Sequence, residues 1–308
     1  MRRRYSAFSA VRATAALACV AAALSLSAAC ASRPTRDDIA AEYYNLAGAY
    51  FELENWDAAS RYYRRALAYE PGGRRARFNL ARVEIERGAY SEARELLTAL
   101  QNEDPDNHLI SQLIGYAYYR AGELAEAREL FERLRSEAPY DDRVIRNLAM
   151  VYAAEGTLES AAVLLADAAP TAGDPAAFYT QAVEFEYQRE DRESARNYAG
   201  LLLREAEDPV AALRALGEIA YEYRDLDRAA EWYGALLDER PEDLDALFSR
   251  GALKLLIGER EAGETLLAEA FDLGFDDRER VRELLDDEDL EDADELRAFL
   301  KEQGACFL

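Results

Sequence analysis

The chain has 308 residues, half of them hydrophobic, with 37 basic and 61 acidic side chains and a formal net charge of −24. That length suits one or two globular domains or one long array, and the apolar share excludes wholesale disorder. So acidic a chain repels phosphate backbones and anionic lipid surfaces, which excludes nucleic acid as a partner. Of the three cysteines, Cys19 and Cys30 lie in the first thirty residues and Cys306 near the end, so the body between them has no disulfide framework.

Arg2, Arg3, Arg4 and Arg12 open the chain, and residues 13–32 carry no charge. This is the positive n-region and apolar h-region of an export signal. Leu26-Ser27-Ala28-Ala29-Cys30 resembles a bacterial lipobox, in which the Cys thiol is lipidated and becomes the new N-terminus. The aliphatic residue stands four places before Cys30, where that motif usually has it three before. Two other readings stay open: ordinary cleavage at the Ala29-Cys30-Ala31 site, and an uncleaved anchor, for which an alanine-dominated run is a weak span. Residues 1–30 are thus read as a signal peptide with a lipobox, and 31–39 as a linker. With Ala31 rather than Asp after Cys30, the lipoprotein resemblance implies sorting to the outer membrane, facing the periplasm.

From Ala40 the chain repeats with a period of 34. Pro71, Pro105 and Pro139 share one register, and Pro241 falls in it again. With Ala40 as position 1, position 20 reads Ala59, Ala93, Ala127, Ala161, Ala195, Ala229 and Gly263, all small. Position 8 reads Ala47, Ala81, Gly115, Ala149, Val183, Gly217 and Gly251, and position 24 holds Tyr63, Leu97, Phe131, Leu165, Ala199, Tyr233 and Leu267. Each unit shows two stretches of helical periodicity with a break near position 15, marked by Gly88, Gly122, Gly156 and Gly258. A short break makes the two helices antiparallel neighbours. Small residues at positions 8 and 20 let the backbones approach, and Pro at position 32 stops the second helix. One hairpin cannot bury its apolar face alone, so the units must stack.

The pattern resembles the tetratricopeptide repeat, W-x2-L-G-x2-Y…A-x3-F…P. Unit one matches as Tyr43, Leu46, Ala47, Tyr50, Ala59, Tyr63 and Pro71; unit three as Ile114, Gly115, Tyr118, Ala127, Phe131 and Pro139. The resemblance implies an all-α, right-handed superhelical solenoid of seven helix-turn-helix units: 40–73, 74–107, 108–141, 142–175, 176–209, 210–243 and 244–277. Units five and seven match worst, with Ala182, Glu186, Ala199 and Arg250 at core positions. Residues 168–175 interrupt unit four: Pro170 should end its second helix about two residues early, as a loose turn or as a bend that divides units one to four from five to seven. Residues 278–308 read as an acidic cap of one or two helices, with Val281, Leu284, Leu285, Leu290, Ala293, Leu296 and Leu300 on one stripe.

No catalytic, metal or cofactor site is expected. His108, the only histidine, falls at position 1 of unit three, an inter-unit surface. Cys306 has no histidine near it in sequence. Gly72-Gly73 lacks the pattern of a phosphate-cradling loop, and 286–289 lacks the spacing of a calcium loop, reading instead as a solvated helix end.

In the resembled family, positions 2, 5, 9, 12 and 13 of each first helix line a concave groove. Carried onto this chain, they imply ligand contact by Tyr44 and Phe51; by Arg75, Phe78 and Arg82; by Tyr116, Tyr119 and Arg120; by Arg143 and Arg146; and by Tyr187 and Tyr221. Arginines and aromatics together suit a peptide with acidic side chains or a free carboxylate. The asparagine-plus-lysine clamp of chaperone-tail binders is not reproduced: Asn45, Asn79 and Asn147 match, but the lysines are missing. The resulting expectation is a non-catalytic scaffold that binds a protein or peptide for envelope assembly, with membrane attachment only through its N-terminal lipid. Two alternatives stand beside it: a periplasmic transport accessory holding a small ligand or a solute-binding protein, and a cytoplasmic adaptor.

Overall fold

The computed structural model describes residues 34–303, and these contain sixteen α-helices and no strand. Cys30, the export segment and Cys306 lie outside the described residues. The contacts divide the chain into two bodies, one ending at Val151 and the other beginning at Tyr152. The division thus falls inside a helix of unit four, not at 168–175.

The first body holds α1 (Arg36–Glu52) and α2 (Trp56–Tyr69), α3 (Arg74–Glu86) and α4 (Tyr90–Glu103), α5 (His108–Arg120) and α6 (Leu124–Glu137), and most of α7 (Asp142–Ala154). The second holds α8 (Leu158–Ala168), α9 (Pro175–Gln188) and α10 (Arg192–Glu205), α11 (Pro209–Glu222) and α12 (Leu226–Glu239), α13 (Leu244–Leu256) and α14 (Arg260–Asp272), then α15 (Arg278–Leu285) and α16 (Ala293–Glu302). Within each body, the A and B helices of a unit pack as neighbours and most B helices pack on the next A helix, while α3 also meets α5 and α9 meets α11. Here A and B denote the first and second helix of each unit.

The helix limits follow from local chemistry. Thr35 caps α1 through a reciprocal capping box with Asp38, so residues 36–39, read as linker, form the first turn of the helix. Asn107, Asp174, Asp208, Asp243 and Asp277 each accept a backbone N–H at the start of an A helix, and Pro175 and Pro209 occupy the first helical position, where no N–H is needed. Pro71, Pro105, Pro139 and Pro241 follow the ends of B helices directly. In unit four, α8 stops at Ala168 and a 3-10 turn over Ala169–Thr171 carries Pro170. Position 15 turns left-handed in all seven units: Gly88, Gly122, Gly156 and Gly258 have φ of 78° to 82°, and Glu54, Glu190 and Arg224 take φ of 54°, 62° and 53°.

The core runs between A and B helices. Ala59, Ala93, Ala127, Ala161, Ala195 and Ala229 are at most 1% exposed. On α6 the buried stripe is Ala127, Leu130, Phe131 and Leu134, one face of a 3.6-residue period. Full burial of a ring such as Phe131 contributes roughly 2–3 kcal/mol. Positions 8 and 24 trade volume. A Cβ on Gly115 would lie 2.8 Å from the Phe131 ring, and one on Gly217 2.8 Å from the Tyr233 ring. Unit five reverses the trade, with Val183 opposite Ala199, both buried. The small Ala199 of that unit is therefore one side of a size exchange. In unit seven, Arg250 lays its guanidinium over Gly234, where a Cβ would sit 3.0 Å from its Cζ.

Among the described residues, no helix is long and apolar enough to cross a membrane, and no acid, Cys or His group is arranged to hold a metal.

Candidate functional site

The A helices of the first body carry the aromatic and arginine side chains the sequence pointed to. Tyr44 on α1 is half-buried; its hydroxyl accepts from the Asn79 amide at 2.8 Å, and its ring meets Tyr63 edge-on at 5.6 Å. Burial, with Tyr44 adjacent, pushes the Tyr63 hydroxyl up to about 12. Asn79, one of the asparagines matching the clamp position, is thereby committed to a tyrosine. Phe51 lies between Trp56, edge-on at 5.2 Å, and the Arg82 guanidinium, 4.7 Å above its ring. Arg82 is exposed, and a ring contact of this kind orients a guanidinium without neutralising it.

On α5, Arg120 donates to the Tyr116 hydroxyl at 2.8 Å and lies 5.6 Å from that ring, while Glu86 reaches it at 3.4 Å. The Tyr116 hydroxyl and Glu86 together hold the guanidinium firmly protonated. Tyr119 stacks on Tyr116 at 6.2 Å. Phe78 is half-buried, and Arg75, Arg143 and Arg146 are exposed. Among the described residues, no carboxylate pairs with the side chains of Arg75, Arg82 or Arg143, although acids far outnumber bases in the chain. Gln112, at groove position 5 of unit three, is buried and donates to Asp141 at 2.9 Å, the residue that caps α7.

Several acids of this body are engaged by other arginines. Arg74 and Arg77 take Glu103, Arg74 also takes Asp104, and Arg94 takes Glu123. Glu84, on the buried side of α3, is fully buried and accepts from Ser60 at 2.5 Å, Arg87 at 2.6 Å and Arg64 at 3.1 Å. Such saturation makes a buried carboxylate tolerable.

The second body treats its candidates differently. Tyr187, expected on the groove surface, is only 7% exposed; its ring stacks on Tyr223 and its hydroxyl donates to Asp225 at 3.3 Å. Burial first, then Asp225, pushes that hydroxyl up to about 12. It is a core tyrosine, because a hydroxyl with one internal acceptor can be buried along with its ring. Tyr221 is exposed, but its hydroxyl donates to Asp287 of the cap at 3.3 Å. Phe248, at position 5 of unit seven, is buried against Phe275 at 4.3 Å with Arg280 stacked 4.9 Å above it.

Three features went unread in the sequence: Glu84 as a buried carboxylate, held by Arg87 as the core letter Glu186 is by Arg189; Arg280 as the lid on Phe248; and the reach of Asp287 back to unit six. The first had a signal. Position 11 is Glu only in units two and five, and only there is position 14 Arg: Glu84 with Arg87, Glu186 with Arg189. The other two depend on where the cap folds, which the repeat register does not specify.

Three family models match the sequence: Tetratricopeptide repeat over residues 50–115, the N-terminal TPR repeats region of Psidin over 83–206, and Tetratricopeptide repeat again over 179–243. No curated protein matches the chain at a significant level. Similar solved structures include pilF of Pseudomonas aeruginosa, 21% identical, covering 68% of this chain and 96% of that one, with a TM-score of 0.46. A tetratricopeptide repeat protein from Parabacteroides merdae is 16% identical, covering 80% and 96%, with a TM-score of 0.47. MamA from Desulfovibrio magneticus is 18% identical, covering 56% and 98%, with a TM-score of 0.45. With its helices in consecutive packed pairs and these repeat models along it, the chain is an all-α solenoid of tetratricopeptide repeats.

Proposed function

We propose that the chain is a non-catalytic scaffold that holds an acidic protein segment against the A-helix face of its first body. Tetratricopeptide repeats make it a protein–protein interaction module; the ligand class is our reading. One observation carries it: among the described residues Arg75, Arg82 and Arg143 stand without carboxylate partners, in a chain of net charge −24, and Arg82 is braced on Phe51. Guanidinium forks beside aromatic rings recognise carboxylates with geometric specificity. The test is fluorescence anisotropy with a labelled poly-glutamate peptide on the wild type and on an Arg75→Ala, Arg82→Ala, Arg143→Ala variant. Affinity should fall at least tenfold, about 1.4 kcal/mol, in the variant. Equal affinity for both proteins would refute this face as the ligand site.

We further propose that the protein works in the cell envelope, exported by its first thirty residues and lipid-anchored through Cys30, with the repeats facing the periplasm. The support is the sequence of Arg2, Arg3, Arg4 and Arg12, the uncharged run, and the lipobox-like approach to Cys30. Labelling with a fatty-acid analogue should mark the wild type and not a Cys30→Ser variant. Label retained in that variant would sink the anchor, and a cytoplasmic location for the wild type would favour the adaptor reading.

A further inference from the structure

The cap continues the repeat and then departs from it. Helix α15 begins at Arg278, position 1 of an eighth register, and buries Val281, Leu284 and Leu285 as an A helix does. It ends after 8 residues, where α13 runs for 13. Residues 286–292 then run to α16. Asp287 meets Arg224 through two parallel hydrogen bonds, Nη2 to Oδ1 at 3.0 Å and Nη1 to Oδ2 at 3.1 Å. The Tyr221 hydroxyl donates to the same carboxylate at 3.3 Å and the Asp289 N–H at 3.0 Å, while the Asp289 carboxylate also pairs with Arg224. The Asp287 side chain is left 11% exposed. Arg224 in turn lies 5.6 Å over the Tyr221 ring.

Tyr221 stands at position 12 of unit six, a ligand-contact position in the resemblance drawn above. A carboxylate gripped by an arginine fork and a tyrosine hydroxyl at that position is what a bound acidic peptide would present. Here the peptide belongs to the chain itself. We propose that Tyr221 and Arg224 form a carboxylate-recognising site on the second body, that residues 286–289 are its resident occupant, and that an acidic segment of a protein partner binds there by exchange with them. The inference rests on the reading of the chain as a peptide-binding scaffold, but not on the first-body face.

The way the segment is held favours exchange. Asp286, Glu288, Asp289, Glu291 and Asp292 are exposed, and between Leu285 and Leu296 no side chain is buried. The segment is fixed by ion pairs at the surface, while apolar anchors hold the helices on either side. Segments of that kind open at low cost without unfolding their flanks. Tethering gives the resident segment a high effective concentration, so an outside peptide meets a competitor in the intact chain.

The test uses the full chain and, as probe, a labelled, end-blocked peptide with the sequence of residues 286–292. Wild type should bind it weakly, and an Asp287→Asn, Asp289→Asn variant about tenfold more tightly, as the tethered competitor is lost. Adding Arg224→Gln should erase that gain, whereas adding Arg75→Ala, Arg82→Ala and Arg143→Ala should leave it, which separates this site from the first-body face. A second measurement needs no variant: excess unlabelled peptide should speed amide exchange across 286–292 in the wild type and leave α16 unchanged. No gain in the Asn variant, a gain that survives Arg224→Gln, or exchange unmoved by saturating peptide would each overturn the proposal.

Discussion

The two bodies use the same arginine–carboxylate chemistry in opposite places. In the first, the carboxylate buried in the core, Glu84, is saturated by Ser60, Arg64 and Arg87, and among the described residues Arg75, Arg82 and Arg143 of the A-helix face have no carboxylate partner. In the second, among the described residues, the equivalent Glu186 receives a side-chain donor only from Arg189, at 2.5 Å, while the surface arginine Arg224 is filled by the cap. Both glutamates occupy position 11, and both arginines that follow reach back to the preceding unit, Arg87 to Asp57 at 2.9 Å and Arg189 to Glu159 at 3.4 Å. Repeat position therefore fixes which residue types meet. Whether an arginine is available to a ligand depends on which other segment happens to deliver a carboxylate.

The largest test of this contrast is removal of the two glutamates. Glu84→Ala takes an acceptor from the buried Ser60 hydroxyl, from Arg64, which keeps Glu92, and from Arg87, which keeps Asp57, and should cost about 2–3 kcal/mol, the upper range for leaving a buried donor unsatisfied. Glu186→Ala strands one arginine that keeps Glu159 and should cost about half as much. Denaturant midpoints of the two variants check the order, and equal losses would erase the distinction between the bodies. The same pair differs with pH. Burial pushes the Glu186 carboxyl above the usual range even though Arg189 pulls the other way. A folded state that binds the proton more tightly than the unfolded chain gains stability as pH falls through the window above the unfolded value of about 4.3. Wild type should thus gain on going from pH 7 to 5 relative to Glu186→Gln. Asp287 behaves inversely. Burial would raise it, but Arg224, the Asp289 N–H and Tyr221 together hold it below the usual range. Its contact persists above about pH 4 and is lost only below.

A second test asks whether the cores, unlike the charges, are alike. Gly115→Ala forces a Cβ against Phe131, and Gly217→Ala forces one against Tyr233, both at 2.8 Å. Each should cost about 1–3 kcal/mol through overpacking. The chain supplies the remedy: units two and four place Ala at position 8 and Leu at position 24. Gly115→Ala with Phe131→Leu should recover most of the loss by thermal melting. Failure of that rescue would mean that the trade between positions 8 and 24 is coincidental.

This trade also measures what could be read from the residues. The seven small letters at position 20 located the helix–helix contacts, and the glycines at position 15 located the turns. What could not be read was compensation between letters. Ala199 looked like a hole only when considered without Val183, and Tyr187 looked like a groove residue only when Asp225, its hydroxyl's acceptor, was left out. Asp287 was the least legible. Its partner lies 63 residues away, outside the 34-residue register from which the repeat expectations were drawn.

The smallest effects lie at position 15, where the bodies are alike in backbone and unlike in side chain. Glu54, Glu190 and Arg224 take the left-handed conformation that the other four units give to glycine. For a residue with a Cβ that conformation costs roughly 1–2 kcal/mol, and glycine relieves it at an entropic cost of about 0.5–1 kcal/mol. Glu54→Gly in the first body and Glu190→Gly in the second should each therefore stabilise by up to about 1 kcal/mol, since both side chains are exposed. Arg224→Gly gains the same backbone relief but gives up the fork on Asp287, a surface contact worth a similar amount. Its denaturant midpoint should stay near wild type while amide exchange across 286–292 accelerates. The two readouts part company only if Arg224 is kept, against its backbone preference, for the carboxylate it holds. A clear gain in stability with unchanged exchange would mean that the contact with Asp287 contributes nothing to holding that segment.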